Sequence, residues 1–504
     1  MNVLVILGHP RKDSYCAALA KAYVRGAEAA GANVKNLILA DLQFEMNVLV
    51  PSPEHQFLEE DILKAKELIT WADHLVFIYP TWWGNVPALL KAFLDRTIMP
   101  GFAFRELQFD AYDKMLAPRT AQLITTMDTP LFVYKLFYGS PGTKALTNAT
   151  LKFCGVNPVR NMYLSPVKHS SKEKKQEWLQ RVYDQGRALQ YGVLTPWEKF
   201  WRKAKPWVQA IRLQFYPMTF LAYGIGAFCA DILGYGFSWL LFLLGYIFVF
   251  LLEVAVVFSN DYYDFESDKI NKNFSPFSGG SRVLVDKLIS PDKFKQAIRW
   301  LLIVCTALMF LIAYVSPAPI YILIPVVLIF SFIAMSYTVS PLKLSHRGWG
   351  EVTVGFTHSF AIILTGFLFQ GGMLNESLPW LISIPLFFSI VPAIIMSGMP
   401  DYYADKTSGK NTLVVLLGRD NATIVAVISI LAAIFSALFL YMTNTVENLY
   451  GWEVLPITAH GYLLVKMLIK FYKQKDKPAR IDAIMAVSLM FIMWFALAPF
   501  IRLL

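Results

Sequence analysis

Two groups of aspartates carry the most concentrated chemistry in the 504-residue chain. The first lies in residues 260–268, N-D-Y-Y-D-F-E-S-D, directly after the apolar run 239–259. Asp261, Asp264 and Asp268 are spaced i, i+3, i+7, so a helix continuing through them puts all three on one face. Carboxylates that close repel unless a cation neutralises them, and hard oxygen donors suit Mg²⁺. The second group, Asp401 and Asp405, has i, i+4 spacing after another apolar run. Cationic residues flank both groups: Arg282, Lys343, Arg347, Lys406 and Lys410. The combination describes a Mg²⁺–diphosphate site, in which metal bridges carboxylate to phosphate and Lys or Arg stabilises the leaving group. Arg282 pairs there with diphosphate or with an acceptor carboxylate, or is an ordinary loop residue. His346 and His358 have no metal-like neighbours in sequence and read as packing or interfacial residues.

A second constellation lies near the start of the chain, in three loops: G-H-P-R-K-D-S-Y (8–15), P-T-W-W-G (80–84) and T-T-M-D-T-P (125–130). The first offers His9, Arg11, Lys12, the Ser14 hydroxyl and a helix N-terminus, which together suit an anion. The second offers Trp82, Trp83 and backbone amides around Gly84, which suit a flat aromatic ring. A phosphate cradle beside a ring-binding loop fits a flavin nucleotide. The alternative makes both tryptophans packing residues and Arg11 and Lys12 a solvated turn. With no G-x-G-x-x-G, a dinucleotide site of the Rossmann type is not indicated.

The elements that must position these groups divide the chain. Residues 1–192 alternate short apolar strands (2–7, 33–37, 75–79, 121–126, 158–163) with helical patterns (16–30, 55–72, and after Gly84 to about residue 95). That is an α/β doubly wound parallel sheet, whose ligands sit at the carboxyl ends of the strands. Residues 193–213 form a basic, Trp-rich linker with the composition of a segment lying in lipid headgroups. Residues 214–504 contain nine apolar runs near the ~20 residues that span a bilayer. With the N-terminus inside, the loops at 260–297, 338–351, 400–420 and 471–482 are cytosolic. They hold most of the Lys and Arg, including Lys269, Lys272 and Arg480, while those around Asp231, Ser316, Asn375 and Asn444 hold almost none. Both aspartate groups then share the cytoplasmic face of a cell membrane. The net charge of +10 follows from this asymmetry and calls for no nucleic-acid partner. Four scattered cysteines indicate neither a disulfide framework nor a zinc site, and Met1 leads straight into a strand rather than a cleavable signal.

Both halves resemble known families. G-H-P-x-x-x-S-Y, the run from Trp71 to Arg96 and P-G-F-A-F (100–104) resemble the flavodoxin-like NAD(P)H:quinone oxidoreductases. That resemblance implies bound FAD or FMN and hydride from NAD(P)H. It implies flavin contacts from His9, Ser14, Cys16, Pro80, Thr81, Trp82, Trp83, Gly84, Thr125, Thr126 and Met127, and a homodimer formed through this domain. Some members place a Tyr and a His after the fourth strand. Here no histidine lies between His74 and His169, which leaves Tyr134 or Tyr138.

N-D-Y-Y-D-F-E-S-D and D-Y-Y-A-D-K-T-S-G-K-N-T (401–412) resemble the two signatures of UbiA-type intramembrane prenyltransferases, as do S-Y-T-V-S-P-L-K-L (336–344) and R-G-W-G-E (347–351). This implies an all-α bundle of about nine transmembrane helices. Asn260, Asp261, Asp264 and Asp268 form one Mg²⁺ site, Asp401 and Asp405 a second, and Lys406 and Lys410 meet the diphosphate. Where the family often has Arg-Pro followed by Thr, this chain has F-Y-P-M-T (215–219), with Tyr216 in place of the arginine. The glycine-rich segment 274–282 lets backbone approach the substrate.

The expected function is transfer of a polyprenyl group from its diphosphate to an aromatic quinol such as 1,4-dihydroxy-2-naphthoate, beside a fused quinone reductase that keeps acceptor or product reduced. Acceptors such as 4-hydroxybenzoate, haem or a glyceryl phosphate remain open. A tethered quinone reductase whose second half only binds quinone would not need all five motif aspartates. A transporter would place its charges nearer the membrane midplane.

Overall fold

The computed structural model describes residues 1–52, 55–106, 112–189, 194–271, 279–443, 449–474 and 481–504. Lys272, residues 274–278 of the glycine-rich segment, Asn444 and Arg480 lie outside the described residues. The chain forms two compact units, Met1–Trp201 and Arg202–Leu504.

The first unit is built on β1 (Asn2–Leu7), β2 (Asn33–Ile38), β3 (His74–Pro80), β4 (Phe104–Glu106), β5 (Tyr112–Lys114), β6 (Thr120–Thr126) and β7 (Val159–Leu164). Five of them make a parallel sheet in the order β2-β1-β3-β6-β7. Every residue of the inner strands β3 and β6 is buried, which is why they read as continuous apolar runs. Alternate residues of β1 face opposite layers. Val3, Val5 and Leu7 meet helices Tyr15–Ala29 and Lys172–Ala188, while Leu4 and Ile6 meet helices Glu60–Trp71 and Ala88–Thr97. The helix expected from residue 55 starts at Glu60. The preceding loop is pinned instead by the fully buried Arg96, which donates to the Phe57 carbonyl at 2.6 Å and to Glu59 at 2.8 Å. β4 and β5 pair as a three-residue antiparallel ribbon, too short to leave a period-2 pattern in the sequence.

The second unit has eight described helices long and apolar enough to cross a membrane, from Leu213–Ile232 to Asp482–Leu503. A ninth apolar helix, Ile320–Met335, has 16 residues and so spans only roughly 24 Å. Gly226 and Gly366 let two helices touch at their backbones: a Cβ on Gly226 would strike the Ile363 carbonyl, and one on Gly366 the Tyr223 carbonyl. The basic linker is itself a helix, Pro196–Ile211, and the boundary between the two units falls inside it. Trp197, Phe200 and Trp201 cluster on its first turns and are exposed. Trp207 near its end stacks on Phe294, with ring centroids 5.9 Å apart.

Candidate functional site

The helix Trp239–Tyr263 does not run on through the first aspartate group. It ends at Asp264 (φ −91°, ψ 6°), and a separate helix, Phe265–Ile270, follows. The single continuous face expected from i, i+3, i+7 spacing is therefore broken at Asp264. Asp261 and Asp268 nevertheless converge, because both border Gly280. That residue has φ +70°, and a Cβ there would run into the Asp268 carboxylate and come within 3.2 Å of Asp261 Oδ1. The next residue, Ser281, donates its amide (3.2 Å) and its hydroxyl to Asp261.

Three contacts join the two aspartate groups into one site. Ser267 Oγ donates to Asp405 Oδ1 at 2.9 Å, and Asn271 Nδ2 donates to Asp401 Oδ1 at 2.7 Å. Lys410 Nζ donates to Asp264 Oδ2 at 2.7 Å and lies 3.9 Å from Asp405 Oδ1. The sequence supplied the aspartates and Lys410. Ser267 and Asn271 were missed as site residues, although they lie in or just beyond the motif, while Gly280 and Ser281 belong to the glycine-rich segment expected to bring backbone close to the substrate.

Burial raises the carboxyls outside the membrane spans. Asp401 is pushed up to about 7 by burial and then by the neighbouring Asp405 charge. Asp268 is raised well above the usual carboxylate range by burial, with Asp261 and Asp264 adding repulsion. Burial also raises Asp405, with Lys410 opposing. Burial works against the Lys410 charge, but Asp264 and Asp405 outweigh it and raise its pKa. One ammonium thus serves several crowded carboxylates.

The other predicted residues divide. Asn260 borders the site, and its Oδ1 is buried without a hydrogen-bond partner among the described residues, as is Asp264 Oδ1. The Arg282 guanidinium donates to the Asp268 carbonyl, which keeps it at the site. Lys343 begins the turn Leu344–His346 in a left-handed conformation (φ 45°), close enough to His346 to act on its charge. Lys406 and Arg347 do not join the cluster. Lys406 is exposed and lies over the Tyr402 ring at 5.7 Å, and Arg347 is exposed and donates to the Pro341 carbonyl. His346 and His358, read as packing or interfacial residues, each meet a carboxylate. His346 Nε2 lies 3.7 Å from Asp264 Oδ1, and His358 Nε2 lies 3.4 Å from Glu253 Oε1. Burial lowers the pKa of His346, with the Asp264 charge opposing.

Among the described residues no three His, Cys, Asp or Glu side chains close around a common point as a finished metal cage. Mg²⁺ rarely uses such a cage. It takes one or two carboxylates and fills its octahedron with water and substrate phosphate oxygens. The Oδ1 atoms of Asp264 and Asn260, which accept no hydrogen bond from the described residues, and the space that the missing side chain of Gly280 leaves beside Asp261 and Asp268, fit that manner of binding.

A cavity of about 450 Å³ opens from Asn260 into the helix bundle. Phe248, Val249, Val327, Ile390, Met490 and Met493 give it apolar walls, and Arg212, Glu253, Thr353 and His358 are among its polar residues. Its volume and mostly apolar lining are those of a small-molecule site.

In the first unit, the three loops meet at the carboxyl ends of β1, β3 and β6. His9 packs edge-on against Trp82, with ring centroids 5.6 Å apart, and its Nδ1 accepts from the Arg11 amide at 2.9 Å. Ser14 caps helix Tyr15–Ala29 by accepting from the Ala17 amide. Arg11 and Lys12 pair with Asp13 and Asp41 and are well exposed, which agrees with the solvated-turn reading. Thr81 Oγ1 and Thr125 Oγ1 are hydrogen-bonded at 2.6 Å, and the Thr81 amide donates to the Thr126 carbonyl at 2.7 Å. Pro80 ends β3, while the Met127 amide donates to Leu164 beyond β6. Cys16 is buried against Thr126 Oγ1 at 3.3 Å, and burial pushes its thiol up to about 11, so it is no nucleophile. Trp83 is fully exposed at φ 49°, next to Gly84 at φ 75°. A fully exposed indole is not a core residue, so packing does not explain Trp83. Tyr134, rather than Tyr138, belongs to this end: it is buried, bonds Thr143 at 3.0 Å and reaches the Gly84 carbonyl at 3.4 Å.

The parallel sheet with its loop cluster defines a flavodoxin-like domain. The apolar bundle with its acidic end defines a polytopic membrane protein. Comparison with known proteins agrees. Residues 221–495 match the model of the UbiA prenyltransferase family, and residues 1–187 match that of the flavodoxin-like fold. The chain belongs to the UbiA prenyltransferase family, and it carries an NAD(P)H:quinone oxidoreductase-like domain at its N-terminal end. That domain is similar to an uncharacterised NAD(P)H oxidoreductase of Haemophilus influenzae, 29% identical over 32% of this chain and 81% of the relative. It is also similar to a ribosyldihydronicotinamide dehydrogenase [quinone] of Mus musculus, 25% identical over 39% of this chain and 96% of the relative. The chain spans about half the length of some other relatives of this kind. A solved digeranylgeranylglyceryl phosphate synthase aligns with 60% of the chain and 98% of its own, at 22% identity and a TM-score of 0.41.

Proposed function

We propose that the membrane unit transfers a polyprenyl group from its diphosphate to an electron-rich aromatic ring, a hydroquinone of the 1,4-dihydroxy-2-naphthoate type. The flavodoxin-like unit holds FMN or FAD and uses NAD(P)H to keep acceptor or product reduced. An allylic cation is captured by an electron-rich ring, and a quinone is not one until it is reduced. The observation that carries the reading is the joining of both aspartate groups through Lys410, Ser267 and Asn271, beside a cavity that shares Asn260 with them.

Asn260, Asp261, Asp264, Asp268, Asp401 and Asp405 would hold Mg²⁺, which when bound neutralises diphosphate charge and favours its departure. Lys410, released from Asp264, would meet the diphosphate, and Arg282 holds the loop after Gly280 against Asp268. The apolar cavity walls exclude water that would otherwise capture the cation. His9, the amides at the start of Tyr15–Ala29 and the Trp82–Trp83–Gly84 turn would hold the flavin. The distribution of Lys and Arg supports a cytoplasmic orientation for both aspartate groups. The exposed aromatic turn of Pro196–Ile211, with its basic residues, supports contact with lipid headgroups, and a homodimer through the first unit completes the proposal.

The test uses the purified full-length chain with prenyl diphosphate, Mg²⁺, NAD(P)H and a panel of acceptors offered oxidised and reduced, 4-hydroxybenzoate and glyceryl phosphate included. Product from a reduced naphthoquinol, and from the quinone only when NAD(P)H is present, is the expected outcome. Loss of transfer in Asp261→Ala or Asp401→Ala with flavin reduction intact assigns the two chemistries to the two units. Equal yields from quinone with and without NAD(P)H would overturn the coupling.

A further inference from the structure

We infer that Glu253 and His358 form a subsite for a ring hydroxyl of the acceptor, one that selects the hydroquinone over the quinone. The inference rests on the prenyl-transfer reading of the cavity and adds to it the chemical state of the acceptor. Both residues line the cavity. Glu253 lies seven residues, or two turns, before Asn260 on helix Trp239–Tyr263. It therefore faces the same way as Asn260, roughly 10 Å deeper along the helix axis. His358 lies in a π-helical turn, Thr357–Ala361, that interrupts the apolar helix between Gly350 and Phe369. Such turns cost helical regularity and are frequent at functional sites.

The hydrogen bonds fix what the pair lacks. His358 Nδ1 lies 3.1 Å from the Val354 carbonyl and 3.1 Å from the Thr357 hydroxyl, so its hydrogen-bonding capacity is used within its own helix. Its Nε2 lies 3.4 Å from Glu253 Oε1, so the ring is turned to that oxygen and not to the other. The other carboxylate oxygen, Glu253 Oε2, is buried with no hydrogen-bond partner among the described residues, on a side chain only 10% exposed. A buried acceptor left unmatched is unfavourable. The hydroxyl of Tyr216, also buried and without a hydrogen-bond partner among the described residues, does not reach it, so a ligand that brings a donor into the cavity would match it. A hydroquinone or phenol hydroxyl is a donor; a quinone presents only carbonyl oxygens, which would oppose Oε2 acceptor to acceptor. Replacing a required donor by a group that cannot donate is the discrimination that polar sites make best. The subsite therefore admits the ring in the oxidation state that can be prenylated.

Two redox-inert probes separate donor recognition from shape: 1-naphthol, which has the hydroxyl, and 1-methoxynaphthalene, which does not. Their binding to the full-length protein is measured by equilibrium dialysis against protein-free micelles, without prenyl diphosphate or Mg²⁺. The wild type is expected to prefer 1-naphthol by about tenfold, as one hydrogen bond at the upper end of the ordinary range implies. Glu253→Met should bring the ratio close to one, Glu253→Gln should lower it several-fold, and Glu253→Asp should retain part of it. A ratio that stays at the wild-type value in Glu253→Gln overturns the subsite, even if the wild type prenylates quinols. A ratio that collapses as expected in a protein that prenylates no quinol leaves the subsite standing and overturns the prenyl-transfer reading instead.

Discussion

Lys410 offers the sharpest test of the acid cluster, because one ammonium is set against several carboxylates. Its Nζ lies 2.7 Å from Asp264 and 3.9 Å from Asp405, and its side chain is 12% exposed. At the Asp405 separation, near 4 Å, and the effective dielectric of a partly buried pair, the contact is worth about 4 kcal/mol before desolvation is subtracted, and the shorter Asp264 contact is worth more. Removing one partner of a buried ion pair leaves the other uncompensated, and the net loss is about 3–5 kcal/mol. Lys410→Met keeps the apolar stem and deletes the charge. In EDTA the variant should unfold several degrees below the wild type, with the loss confined to the membrane unit. Millimolar Mg²⁺ should then raise the variant's Tm more than the wild type's, because a divalent ion supplies the charge that the lysine no longer does. The assay is thermal unfolding of the detergent-solubilised chain, with flavin release reporting the first unit separately. If Lys410→Met is as stable as wild type in EDTA, or if Mg²⁺ stabilises both proteins equally, the carboxylates are not held together by Lys410 and do not share a cation site.

Asp401 gives a pH dependence of definite sign. Its carboxyl is raised to about 7 in the folded chain, against about 3.9 when unfolded, so the fold binds the extra proton between those values. Stability without Mg²⁺ should therefore fall as pH rises from about 4 to about 7, by at most about 4 kcal/mol, and level off above. Asp401→Asn should flatten that slope in an unfolding series at fixed ionic strength, and an unchanged slope would assign it to another group. In the first unit, Gly84→Val forces a branched side chain to φ 75°, where L-residues are strained by roughly 1–2 kcal/mol. The variant should be purified with less bound flavin while prenyl transfer from a supplied quinol persists. Full flavin content in the variant would remove the P-T-W-W-G turn from the site.

Much of this protein was legible in sequence. β3 and β6 are buried on both faces, so their apolar runs and the βαβ spacing around them could be read directly. The membrane helices read equally well, since a bilayer demands long apolar stretches. The residue types of the acidic cluster, aspartates with a lysine, were likewise in plain view. What sequence spacing could not give was direction. Asp261, Asp264 and Asp268 keep helical spacing across a break at Asp264, and Gly280 makes the space between two of them. Lys406 and Lys410 are four residues apart, yet one lies over the Tyr402 ring in solvent and the other is buried against Asp264.

Residue type and local period therefore determined the two folds, their order and the class of chemistry. Tertiary structure alone decided which charges meet. Ser267 reaches Asp405 across 138 residues, and His358 reaches Glu253 only through the packing of two membrane helices. Such encounters depend on how helices cross and where they break. Those features follow from close backbone contacts such as Gly226 on Ile363 and from single left-handed residues, and they leave no periodic trace in the chain.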